Sequence, residues 1–222
     1  MKSPAALSAP DPGDIGRPPA PDELELVRAL INSRNIEGEA KEKELALLAQ
    51  AHQGLTASNS AWDKLASTAS AEAWLRERNL IGAKTRLSAA ETAQLRALRE
   101  ALRGLAGRNN GLQLPTDIEL LRRAAGKAKF ALGFDARSGR SELKPAATGF
   151  AGALGRILGE VHQAMQDGTW ERLKICAAET CLWSYYDRSK NRHSVWCSPA
   201  VCGNRDKVRR YRERAREASA KG

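Results

Sequence analysis

Ligand-forming and aromatic side chains are scarce in this chain: aromatics make up 5% of its 222 residues, and it has three histidines and four cysteines. No run of 18 apolar residues occurs, so the sequence has no stretch suited to a membrane-spanning helix. The opening MKSPAALSAPDPGDIGRPPAP lacks the continuous apolar segment of a secretory signal. A soluble, cytoplasmic protein with no membrane partner is the expectation. P-loop, nucleophile-elbow, HExxH and dinucleotide-binding patterns are all missing, and no enzymatic activity is expected. Proline is rare after the first 21 residues, which hold six of the nine, and residues 1–21 read as a flexible tail.

What the chain does have is apolar residue and positive charge. Hydrophobic residues account for 42% and charged residues for 28%, enough for a packed core. Lys and Arg total 36 against 26 Asp and Glu, a net charge of +10 that favours an anionic partner. Residues 170–222 carry 13 Lys or Arg and 6 Asp or Glu, net +7, leaving +3 for the other 169 residues.

Apolar spacing predicts mainly helices. Leu24, Val27 and Ile31 mark an amphipathic helix over about 22–33. Leu45, Leu47 and Leu48 form a second apolar cluster, and Trp62, Leu65, Trp74 and Leu75 a third. Ser88 and Glu91 have capping-box spacing ahead of a helix carrying Leu95, Leu98, Leu102 and Leu105 inward, with Arg96, Arg99 and Arg103 around its other sides. Thr116 and Glu119 repeat that spacing. Alternation of Phe130, Leu132 and Phe134, a turn-rich 135–140 and Leu143 predict a small β-hairpin. Phe150, Leu154, Ile157, Leu158, Val161 and Met165 then form a clear helical stripe, which Gly168 is placed to end.

All four cysteines lie between 176 and 202. Cys176 and Cys181 are separated by four residues, Cys197 and Cys202 by four, and the two pairs by 15. Four thiolates fill a tetrahedral structural zinc site, which is expected here over two disulfides or unbound thiols. His193 is unnecessary as a ligand, and His52 and His162 stand apart from the cysteines in sequence. Leu182–Tyr186 and Ser194–Cys197 flank a polar turn and are expected to pair as a hairpin before a terminal helix. The predicted fold is therefore α+β but mainly α: a helical domain with a small hairpin, then a treble-clef-like zinc module.

Cys202, Gly203, Asn204 and Arg205 spell CGNR, and WCSPAVCGNRDKVRRYR with CLWSYYDRSKNR closely resembles the CGNR zinc-finger family. Upstream, LVRALINSR, AWLRERNLIGAKTRLSAAETAQLRALREALRGL and the hairpin region resemble the ABATE domain that accompanies this finger. The resemblance implies a bacterial protein acting in stress-linked transcriptional control. It also implies one structural Zn²⁺ held by Cys176, Cys181, Cys197 and Cys202. LINSR, with Asn32, stands where members often have a more aromatic FVNT-like segment. The expected organisation is a tail at 1–21, an ABATE-like domain at 22–169, the finger at 170–216 and a tail at 217–222.

Candidate nucleic-acid contacts follow from the finger's charge. Arg205, Arg209, Arg212 and Arg216 fall on one helical face, with Lys207 beside them, and Arg188, Lys190 and Arg192 sit at the turn. Val208, Tyr211 and Ala215 form a second face expected to dock on the module. Trp183, Tyr185, Tyr186 and Trp196 are expected mainly as packing for so small a unit. The reading is a transcription regulator that binds DNA and associates with the nucleoid, whose N-terminal domain senses a signal or forms a homodimer. An RNA-binding protein and a protein-interaction adaptor with a purely structural zinc are the alternatives.

Overall fold

The computed structural model describes residues 18–21, 23–38, 62–139 and 141–219. The expectations for residues 1–17, for the Leu45, Leu47 and Leu48 cluster and for His52 lie outside the described residues. Within them the elements run α1 (Leu24–Ile31), α2 (Thr68–Glu77), α3 (Ala89–Gly107), α4 (Ile118–Ala128), β1 (Phe130–Phe134), β2 (Ser141–Pro145), α5 (Gly149–Gln166), β3 (Leu173–Ile175), β4 (Ser184–Tyr186) and α6 (Asn204–Ser219). The mainly helical fold with a small hairpin and a C-terminal four-cysteine module is as expected.

Local signals set most of the helix starts. Ser88 and Glu91 form the reciprocal capping box of α3, and Ser67 and Ser70 form another at α2. Helix α4 departs from expectation: its cap is Asp117, whose carboxylate accepts from the Leu120 amide at 2.8 Å. Thr116 instead donates its hydroxyl to Leu114 O. Helix α5 ends at Gln166, and Gly168 supplies the left-handed φ of +68° that turns the chain away.

The main core joins Leu24, Val27, Leu30 and Ile31 of α1 to Leu95, Leu98 and Leu102 of α3 and Leu154, Ile157 and Val161 of α5. The β1–β2 hairpin roots on α5 by close approach. A Cβ added at Gly155 would lie 2.6 Å from Pro145 Cβ and 2.7 Å from Ala128 Cβ, so only glycine fits.

Two arginines expected around the outer sides of α3 are interior. Arg99 is 2% exposed, bonds Asp63 in bidentate fashion at 2.6 and 2.9 Å and reaches Ser33 Oγ. Arg103 donates to Ile31 O and Leu182 O, both at 2.6 Å. Guanidinium supplies several donors in a fixed plane, and here they satisfy a carboxylate and carbonyls where helix and loops meet.

The β3–β4 hairpin continues the helical core. Leu173, Ile175 and Tyr186 belong to it, while Trp183 and Tyr185 join the cysteines in a second cluster. Ile175 pairs with Ser184 across the hairpin, and both outer edges of that rung are closed by side-chain amides. Asn32 donates to Ser184 O at 2.9 Å and accepts from Ser184 N at 2.8 Å. Asn110 donates to Ile175 O at 2.8 Å and accepts from Ile175 N at 3.3 Å. Each asparagine thus acts as one residue of an absent neighbouring strand. Replacing Asn32 with Ala leaves both backbone groups of buried Ser184 without these bonds. A loss of about 2–3 kcal/mol in urea unfolding of the metal-loaded protein is expected.

Candidate metal centre

The four cysteines arrive from two turns. Strand β3 delivers Cys176, whose amide donates to Trp183 O at 2.8 Å, and the turn back to β4 carries Cys181. In that turn the amides of Cys181 and Leu182 both converge on Ala178 O, and Leu182 takes a φ of +48°. Arg103 grips the Leu182 carbonyl, so α3 fixes the residue next to Cys181. Of the other pair, Cys197 directly precedes and Cys202 lies within a π-helical turn, Pro199–Gly203, capped by Ser198, whose hydroxyl accepts from Val201 N and whose carbonyl accepts from Cys202 N.

The expected hairpin of Leu182–Tyr186 with Ser194–Cys197 does not form. Strand β4 pairs upstream with β3, and the returning segment is tied through Ala177 N to Val195 O at 2.9 Å and Tyr185 OH to Ser194 O at 2.6 Å. A buried ion pair that the sequence reading missed also holds this segment. Lys174 Nζ lies 2.8 Å from Asp187 Oδ2 and also donates to the carbonyls of Arg192 and Ser194. Asp187 in turn accepts from the amides of Ser189 and Ser194. Burial pushes the Asp187 carboxyl up, but the bonds from Lys174 and Ser189 and the Lys174 charge outweigh it and hold the pKa at about 2. An Asp followed two residues later by Ser is a turn signal, which makes Asp187 recoverable from sequence. Lysine inside the apolar strand Leu-Lys-Ile was the other clue.

All four Sγ atoms are buried and lie within 4.8 Å of one another. Cys197 Sγ is 3.7 Å from Cys181 Sγ and 3.6 Å from Cys202 Sγ. These gaps are too long for disulfides and match the edge of a tetrahedron, about 3.8 Å, for metal–sulfur bonds of about 2.3 Å. Without a cation the set is in electrostatic conflict. Hydrogen bonds from Cys181 and Cys197 pull the Cys176 thiol well down, while its thiolate and burial push Cys181, Cys197 and Cys202 up. Four thiolates around one soft divalent cation remove that conflict, so the donor set fits zinc. Bound there, zinc would serve as a closed structural tie with no position open to substrate.

The CGNR residues each have a place. Cys202 is a sulfur donor, and Trp196 lies over Gly203, where an added Cβ would be 3.3 Å from the ring. Asn204 Nδ2 caps Ala200 O at 2.8 Å. Arg205 reaches away from the sulfurs to Glu37 Oε1 at 2.6 Å, and that bond pushes its pKa up.

The other cations sort into two groups. Arg188 donates to Pro19 O and stacks on Tyr186, and Arg192 pairs with Glu171 at 3.2 Å. Arg209 is bracketed by Asp206 at 2.8 Å and Glu213 at 2.9 Å. Asp206, a buried acid the sequence reading did not single out, also holds Arg210 at 2.8 Å. Lys190, Lys207, Arg212 and Arg216 make no ion pair among the described residues. Arg205, Arg209, Arg212 and Arg216 do line one open groove with Val208. Val208 and Tyr211 do not dock as expected: they are 48% and 69% exposed, because α6 leaves the body after its first turn. Trp183, Tyr185 and Tyr186 are buried, and Asn32 serves as an edge cap for β4.

Fold and site together define a helical domain bearing a C-terminal four-cysteine metal finger. A family model described as "Putative stress-induced transcription regulator", ABATE, matches residues 45–165, and the CGNR zinc finger model matches residues 172–215. The chain belongs to the ABATE family and ends in a CGNR zinc finger. No curated protein matches it.

Two outcomes are expected of variants here. Cys202→Ser should lose the metal, measured by mass spectrometry under native conditions, and expose the chain beyond Cys197 to protease while the Asn-capped β3–β4 rung persists. Asp187→Asn should cost about 3–5 kcal/mol at neutral pH by leaving Lys174 buried without its counter-ion. Because the folded pKa lies below the ordinary carboxyl value of 3.8, the ionised Asp187 stabilises the protein fully above that value. Its contribution is lost as pH falls through about 2, and comparing wild type with the variant across pH measures this.

Proposed function

We propose that this protein is a bacterial transcription regulator that binds DNA through the basic face of its finger, with one structural Zn²⁺ per chain. The N-terminal domain senses a signal or forms the dimer interface, and the protein works in the cytoplasm at the nucleoid. The observation that carries this reading is the projecting helix α6. It is anchored at the zinc turn, otherwise solvent-exposed, and lined with arginines on one face. Such a helix fits a major groove or the phosphate backbone. No catalytic role is proposed, because a cation bound by four cysteines has no coordination position left for a substrate.

Arg212 and Arg216 are better probes than Arg209, whose charge is already met by Asp206 and Glu213. In fluorescence anisotropy with labelled duplexes, Arg212→Ala with Arg216→Ala should weaken binding. The magnitude of the salt slope should fall by about two units. Zinc content is checked first, and excess RNA competitor separates the RNA-binding reading. No binding by the parent at low salt, or an unchanged slope in the double variant, overturns the proposal. The exposed pair Val208 and Tyr211 favours the interaction adaptor as the second reading, and that result would select it.

A further inference from the structure

Positive charge is concentrated in a second place. Residues 118–145, which form α4 and the β1–β2 hairpin, contain 7 Lys or Arg and 3 Asp or Glu, net +4 in 28 residues. Residues 170–222 carry +7, so everything else sums to −1. Arg122, Arg123, Lys127 and Lys129 are all exposed, and the first two approach Glu119 as their one acid among the described residues, at 3.8 and 3.9 Å.

The hairpin beside them has two unlike faces. Its register puts Phe130 opposite Pro145, Leu132 opposite Leu143 and Phe134 opposite Ser141, so one face is almost wholly apolar. The root of that face is packed: Pro145 meets Gly155, and Phe130 lies near Gly159. Its outer part is bare, with Leu132 65% and Phe134 69% exposed. The ladder also extends past the root of the strands through Ala146 N to Lys129 O and Ala147 N to Ala128 O, which anchors the ribbon beside α4. Burying such residues is favourable, so the bare tip needs a partner.

We propose that α4 and the β1–β2 hairpin form a second contact for duplex DNA, separate from the finger. Arg122, Arg123, Lys127 and Lys129 meet phosphates, and Leu132 and Phe134 wedge against a base step in the groove. A two-stranded ribbon has the width to enter a groove, and apolar side chains beside Arg and Lys are what unstacks a step there. A second copy of this chain is a poor occupant. It would set +4 against +4, and three partly exposed apolar side chains fall short of the roughly 800 Å² per partner of a stable interface. The inference rests on the DNA-binding reading above and extends it to a different surface.

The test uses the zinc-loaded full chain and a labelled duplex carrying 2-aminopurine, whose fluorescence rises when its step unstacks. Arg122→Ala, Arg123→Ala and Lys127→Ala together should lower the salt slope by about two to three units. Phe134→Ala should leave the slope in place, abolish the fluorescence rise and weaken binding on the order of tenfold. All these side chains are exposed, and circular dichroism confirms that the variants fold. If the parent binds and both the α4 and the Phe134→Ala variants match it, this inference falls while the finger reading stands. If those variants weaken binding but Arg212→Ala with Arg216→Ala does not, the finger reading falls and this one stands. A parent that binds no duplex overturns both. A parent dimer that Phe134→Ala disperses in sedimentation assigns the apolar tip to a second copy and overturns the proposal.

Discussion

Side-chain amides that bond both outer edges of one β-hairpin rung tie the finger to the helical domain. The rung runs from the Asn110 amide through Ile175 and Ser184 to the Asn32 amide, so a two-stranded hairpin is bonded on both outer edges by helical-domain side chains. A hairpin of three residues per strand is too small to be stable alone. Here it is clamped at the end of its strands nearest the connecting turn, and its faces are divided. Leu173, Ile175 and Tyr186 point into the helical core, while Trp183 and Tyr185 join the cysteines. Period-two alternation makes the division possible, since neighbouring side chains leave the strand in opposite directions.

This shared hairpin alters what the metal has to organise. In a free-standing finger the cation gathers the whole unit. Here Cys176 and Cys181 are placed by β3, by Arg103 on the Leu182 carbonyl and by the bonds to Ala178 O. The second pair is set by its own capped turn and by links that reach the chain just before it, from Ala177 to Val195 and from Tyr185 and Asp187 to Ser194. The two sulfur pairs are thus placed by different parts of the chain, and a bound cation would fasten the later pair to the earlier one.

Parts of this architecture were legible in the sequence because they rest on local chemistry. Ser88 and Glu91 satisfy amides within one helical turn, and the Phe150 to Met165 stripe obeys the period of a single helix. The cysteine pairs were readable because tetrahedral sulfur coordination needs few residues of known type. Arg99 and Arg103 were not, since arginine in an amphipathic helix ordinarily faces water and their acceptors come from distant segments. Asn32 and Asn110 bond backbone groups 152 and 65 residues away, and backbone acceptors leave no mark in the letters. The spacing of Val208, Tyr211 and Ala215 was read correctly as a face, but periodicity says nothing about whether a surface lies within reach of it.

Helix α6 is held only where it begins. Among its described residues Asp206 alone is buried, and the preceding turn is set by Ser198 and Cys202. An isolated helix of this length is marginal in water because the first turn fixes many dihedrals for a single bond. The sulfur-bearing turn has already fixed them, so the remaining residues face only the propagation step, at which arginine and glutamate are favourable. A cation held by the four cysteines would thus act as a helix initiator, and its occupancy would be converted into the length of ordered chain that stands out from the body.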